Sequence, residues 1–279
     1  MCTNSCVAYT GPYLDLEKCP RCSEPRYILG GTAQSQKRFT TIPIGLVIQA
    51  FYGSQEVAQS MHYLAKQLSE NLDMAKANSG RLVVYDDTAC GQELLDTWSE
   101  GHFKKLDIAL QFSINSAQLH HDKPSDAWVF IWVIHNLPLE MHYKKSFVIP
   151  GAIVPEPNKP GDLDSFLFPS LYHVAALQRE GLWAYDAYLD IIVPCTTPFV
   201  LFGTADSLGS AVMSGMVGHS RQYGCHLYCD MPGQCCKGDS HYYPVMNRPS
   251  ICTVPECSNA DVSVNDLVSY CPRPSWEVQ

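Results

Sequence analysis

Apolar and polar positions divide the chain into a polar, cysteine-bearing start, a patterned middle and an unpatterned tail. Between residues 55 and 77, Val57, Met61, Leu64, Leu68 and Leu72 step by four, three, four and four, which puts them on one stripe of a helix. Asn78-Ser79-Gly80 ends the pattern. Such a stripe is expected to pack on the protein's own core rather than to receive a partner. Three runs rich in β-branched and aromatic residues follow: Leu106–Ile114, Ala127–Asn136 and Ser146–Val154. Proline or polar residues bound them, and they predict strands. A helix is predicted over Asp164–Gln178, with Phe166, Leu167, Leu171, Val174 and Ala175 near one side. Asp162 and Asp164 stand at its start, where carboxylates suit the helix dipole. Ile191–Phe202 reads as a further apolar strand, interrupted by Pro194 and Pro198. Strands, then helix, then strand, predict a mixed α/β domain.

Composition narrows the class. Apolar residues make up 46% of the 279 positions, enough for a real core, so wholesale disorder is not expected. The longest apolar runs, such as Trp128–Ile134, fall far short of a membrane span. No charged and then apolar leader opens the sequence, so an intracellular rather than secreted protein is expected. The balance of 19 basic against 28 acidic residues, net −9, speaks against a generic nucleic-acid binder, whose footprint is a basic surplus. A local basic face remains open, at Lys37/Arg38, Lys104/Lys105, Lys144/Lys145 and Arg221. Each of these reads more readily as solvated surface than as a phosphate clamp.

The thirteen cysteines change the picture more. An odd number cannot pair completely into disulfides, and without a secretion signal metal ligation is the better reading of close pairs. Cys2-x3-Cys6 and Cys19-x2-Cys22 supply four soft ligands, which a turn could bring together around tetrahedral zinc. Such a closed site is structural, not catalytic. A second cluster, His219-x5-Cys225-x3-Cys229 followed by Cys235, Cys236 and His241, has an irregular spacing and more ligands than one ion needs. Zinc binding and a thiol-rich loop are both open there. Cys90 and Cys195 lack any surrounding motif that would mark a nucleophile. Asp206, directly after a strand-like run, reads on its own as a cap or turn residue.

Several segments, in consistent order over roughly residues 1 to 250, resemble transposases of the CACTA (En/Spm) type. They are CTNSCVAYTGPY with CPRCSEPRY, LDIALQFSINSAQLHHDKPSDAWVFIWVIHNLP, FVIPGAIVPEPNKPGDLDSFLFPSL, HVAALQREGLWAYD, TADSLGSAVMSGMVGHSRQYGCHLYC and GDSHYYP. The resemblance implies an α/β, ribonuclease H-like core in which an Asp–Asp–Glu triad holds two Mg2+ ions. Such a core cuts a DNA strand at transposon ends and joins the freed 3′ hydroxyl to target DNA. It also implies DNA as a partner and a nuclear location; no membrane partner is expected, and association of the chain with a second copy of itself stays open. Asn115 stands where the family's first Asp would be, and Asp206 matches the second. His219, Cys225 and Cys229 match the His and Cys residues that follow it. An Asn amide is neutral and offers one oxygen, where a carboxylate brings charge and can bridge two cations. The third acid has no match here, so the chain is expected to be a truncated, catalytically inactive member.

The domain organisation expected on these grounds has five parts. Residues 1–29 form a zinc-knuckle module, and 30–105 a linker (polar over Gly30–Thr41) and helical region. A partial ribonuclease H-like core spans 106–217, the Cys/His cluster 218–244, and a poorly ordered tail 245–279. A different reading stays open beside this one: a zinc-dependent module that binds DNA or a protein without catalysis.

Overall fold

The computed structural model describes residues 1–28, 34–118, 126–155, 159–214 and 221. Contacts divide the chain between Thr204 and Ala205 into two compact units. In the first, Thr40–Thr41 (β1) leads into helices Ile44–Tyr52 (α1), Gln55–Met61 (α2), Tyr63–Ala77 (α3) and Gln92–Ser99 (α4). Strands Ile108–Gln118 (β2), Asp126–Ile134 (β3) and Ile149–Pro155 (β4) follow, then helix Leu163–Glu180 (α5). Strands Leu182–Asp186 (β5), Ile191–Thr196 (β6) and Pro198–Ala205 (β7) complete the order. Among the described residues, no helix is long and apolar enough to cross a membrane.

The main sheet has the order β1-β4-β3-β2-β7, and β5 and β6 form a separate two-stranded sheet. β2 and β3 pair antiparallel from Leu110 opposite Ile134 to Gln118 opposite Asp126. β3 and β4 are also antiparallel, with a bulge between Phe130 and Ile131. Contacts between β2 and β7 advance in the same direction along both strands. The Ile108 N–H donates to Thr197 O at 2.9 Å, and further on the Gln111 amide donates to Thr204 Oγ1 at 2.9 Å. The sheet is therefore mixed, and the fold is mixed α/β.

One face of β2, Ile108, Leu110, Phe112 and Ile114, is apolar and buried, while the other is buried at Ala109 and Gln111 and opens to solvent at Asn115. Phe112 stacks on Phe130 and tilts against Trp132, with ring centroids 6.3 and 5.0 Å apart. Three residues away, and so on the opposite face, Ala109 packs with Leu64 and Leu68 of α3, Leu94 and Leu95 of α4, and Phe103. Asn115 shares the Ala109 face by the same alternation and is exposed.

The structure corrects three of the expected elements. The helix predicted over 55–77 is two helices broken at His62. The Leu64 N–H donates to the Asn136 carbonyl at 3.3 Å, so a tertiary bond takes the place of a helical one. Met61, Leu64 and Leu68 are buried as the stripe requires. The single strand predicted over 191–202 is two strands in two sheets. Asp107 holds the crossing point: it is buried, and its carboxylate accepts the N–H groups of Lys104 at 2.8 Å and Thr197 at 3.2 Å. Pro194 is tolerated because β6 belongs to a sheet of only two strands. The described part of the expected linker is built into the fold. Tyr27 bridges to Ser35, Lys37 Nζ donates to Ser5 Oγ at 3.2 Å, and β1 pairs with β4. The boundaries expected at 29/30 and 105/106 thus fall inside one unit.

A polar group in this core makes stability sensitive to acid. His135 is buried, with Nε2 donating to Gln111 Oε1 at 2.9 Å and Nδ1 taking the Thr88 hydroxyl at 3.0 Å. Burial, reinforced by His142 and opposed by Asp87, pushes its pKa down to about 4. Between pH 6.5 and 4 the unfolded chain therefore binds a proton that the folded chain refuses. Stability present above pH 6.5 is lost as pH falls through that window, by up to about 3 kcal/mol. Urea unfolding between pH 7 and 4 should show a shallower pH slope for His135→Gln than for the parent; equal slopes would refute the assignment.

Candidate metal centre

Two tight turns bring the four N-terminal cysteines together. In the first, the Cys2 N–H donates to Val7 O at 2.9 Å and the Ser5 N–H to Cys2 O at 3.0 Å. In the second, the Cys19 N–H donates to Glu24 O and the Ser23 N–H to Cys19 O, both at 2.9 Å. Ser5 and Ser23 adopt left-handed backbone angles, with φ of 56° and 61°. This lets each short turn close on itself and aim its two sulfurs at one point. Val7 packs with Cys2 and Cys19 in a small apolar cluster. Arg26 lies 4.8 Å over the Tyr9 ring, and its backbone N–H donates to Glu17 O at 2.7 Å, fixing the strand that returns from the second turn.

The four Sγ atoms lie within 4.8 Å of one another, and Cys2 Sγ and Cys22 Sγ are 3.4 Å apart. Thiolates about 2.3 Å from a tetrahedral zinc stand about 3.8 Å from each other, so the cage has the right size. The electrostatics ask for a cation. The Glu24 N–H draws the Cys22 thiol down to about 7, while burial and the neighbouring Cys22 and Cys2 push Cys6 up to about 12. Burial also raises Cys2. One thiolate is welcome here and the next is resisted, which a divalent ion reverses by neutralising them together. The donor set, four thiols and no oxygen, suits zinc and not Mg2+.

The other candidate residues fall elsewhere. Asn115 lies on β2, and Asp206 directly follows β7 in the chain. Within the second unit, Asp206 Oδ1 accepts the Gly209 N–H at 2.6 Å and caps the short helix Ser207–Met213 (α6). The bland reading of Asp206 as a cap describes its contacts. His219, Cys225, Cys229, Cys235, Cys236 and His241, with the tail, lie outside the described residues. Cys90 is a buried thiol in the α3–α4 cluster, 3.6 Å from Asn71 Nδ2. Cys195 is exposed, and its Sγ would lie 2.4 Å from a Cβ at Gly181, whose φ of 75° turns the chain out of α5.

Pattern reasoning missed what the metal centre rests on. The Gly161 N–H donates to Ser5 O at 2.9 Å, the Ala8 N–H to Ser165 Oγ at 2.8 Å, and Tyr13 Oη to Asp162 Oδ2 at 2.7 Å. The acidic start of α5 was legible as suited to the helix dipole, and the structure makes Asp162 its cap, with the carboxylate accepting the Ser165 N–H. Its partners, some 150 residues away, carried no local signal. No family model matches the chain, and no curated protein matches it.

Proposed function

We propose that this chain derives from a transposase of the CACTA (En/Spm) type. In this reading it is a ribonuclease H-like scaffold, braced by structural zinc at Cys2, Cys6, Cys19 and Cys22, that engages DNA in the nucleus without cutting it. The sheet order is the observation that carries the proposal. A ribonuclease H-like sheet opens with three consecutive antiparallel strands and takes its fourth on the free side of the first, parallel to it. β2, β3, β4 and β7 occupy those places. Asn115 then lies on the first of the four strands and Asp206 directly after the last. These are the chain positions at which the resemblance puts the first two acids.

Catalysis fails in this reading because two-metal phosphoryl transfer needs carboxylates that converge on both ions. Asn115 contributes an amide oxygen and no charge. Purified protein with Mg2+ or Mn2+ is expected to leave plasmid DNA uncut. Metal-dependent nicking that Asp206→Ala removes would overturn the loss of activity.

A further inference from the structure

We infer that the four-cysteine centre is a clasp on the start of α5, so that metal loading governs the folding of the whole unit Met1–Thr204 and not only of its first 28 residues. The inference rests on the zinc reading above and adds to it what the metal controls.

The contacts run in both directions across the junction. From the first cysteine turn, the Ser5 carbonyl accepts the Gly161 N–H, and the Ala8 N–H donates to Ser165 Oγ. The Thr10 hydroxyl donates to the Ser165 carbonyl, and Tyr13 Oη to Asp162. From the second turn, Arg21 Nη1 donates to the Gly161 carbonyl at 2.5 Å. Both ligand pairs therefore hold the same short stretch, residues 161–165, and their relative placement is what a shared metal would fix. The fit leaves no slack. A Cβ at Gly161 would stand 2.8 Å from Cys6 O and 2.9 Å from Arg21 Nη1.

The stretch so held controls the rest of the helix. Asp162 and Ser165 form its cap, with Ser165 Oγ also donating to Asp162 O at 2.7 Å. One turn on, Phe166 is fully buried against Phe39, and Ser170 Oγ donates to Gly151 O of β4 at 3.0 Å. At the far side, His173 Nε2 accepts the Gly45 N–H of α1 at 3.2 Å. Metal, cysteine turns, α5 and sheet thus form one continuous chain of bonds. A ligand bound by the folded state alone stabilises whatever unfolds with its site.

The test compares the full-length protein, zinc-loaded and stripped by a chelator under reducing conditions. Zinc is counted by elemental analysis, and stability is read by hydrogen exchange. Loading is expected to slow exchange about tenfold or more, both in the first turn of α5 and in β2 and β3. In Gly161→Val, zinc bound through Cys2 should remain while that slowing is lost. If the added bulk prevents folding, Tyr13→Phe with Ser165→Ala removes two clasp bonds without adding any. Zinc that binds and leaves exchange in α5 and β2 unchanged would overturn the clasp while the metal reading stands. A chain that binds no zinc at Cys2 would overturn both.

Discussion

Cys19→Ser is expected to cut zinc affinity more than about a hundredfold and to leave the chain aggregation-prone at 37 °C. Cys19 is buried and its backbone N–H closes the second turn, so its sulfur sits where neither water nor another side chain can replace it. A serine hydroxyl is a hard, neutral donor and leaves three thiolates around the ion. Because three of the four sulfurs stand so close to Cys22, their repulsion returns as soon as the ion leaves. Cys195→Ser provides the contrast: that thiol is exposed and outside the cluster, and its loss should change zinc affinity less than about twofold. Competition against a chromophoric chelator measures both. Uptake also displaces protons, among them those of Cys2 and Cys6, whose thiols burial pushes up, so affinity should climb with pH between 6 and 8. Equal affinities for Cys19→Ser and the parent would remove the metal centre from the molecule.

Asp186→Ala is expected to destabilise the first unit by about 3–5 kcal/mol. Asp186 is fully buried at the end of β5. One oxygen meets His62 Nε2 at 2.8 Å, and the other accepts the N–H groups of Tyr188 and Leu189, both at 3.0 Å. Truncation leaves three donors without the acceptor that this fully buried carboxylate supplies. Donors of this kind cost far more orphaned than their bonds return when made. His62 also stands at the break between α2 and α3, so the loss reaches both helices. Asp186→Asn keeps one acceptor oxygen and should cost less than half as much. Denaturant unfolding of the three proteins settles the order, and a neutral Asp186→Ala would show that the pair contributes nothing. The segment around Asp186 was part of the family resemblance, and the structure gives this acid a structural task.

How much could be read in advance differed with the range of the interaction involved. The strands β2, β3 and β4 and the helix α5 were visible because each is long, strongly patterned and bounded by polar residues or proline. Their ends moved by only a few residues. β5 was invisible: Leu182–Asp186 has five residues, and its buried and exposed positions alternate only because α1 packs against it in the folded chain. α1 was missed for a different reason. Ile44–Tyr52 is apolar nearly all round, with no cap residue before Ile44 but Pro43, so no period stands out. The break at His62 lay beyond any pattern, since a carbonyl from Asn136 causes it.

The sequence by itself determined the local matters. It set the mixed α/β class, the main strands, the acidic start of α5, and the four cysteines as one ligand set, because spacing and side-chain chemistry act within a few residues. It also placed asparagine at 115 where the family resemblance calls for an acid. The tertiary structure alone decided where the cysteine turns dock, that residues 34–41 form part of the fold, and that the run after Ile191 serves two sheets. It alone gave Asp107 the distant Thr197 N–H, and Asp186 the His62 ring nitrogen, to hold. Each of these depends on an N–H or a carbonyl meeting a partner far along the chain. Nothing in the pattern around a buried polar group says which distant one will satisfy it.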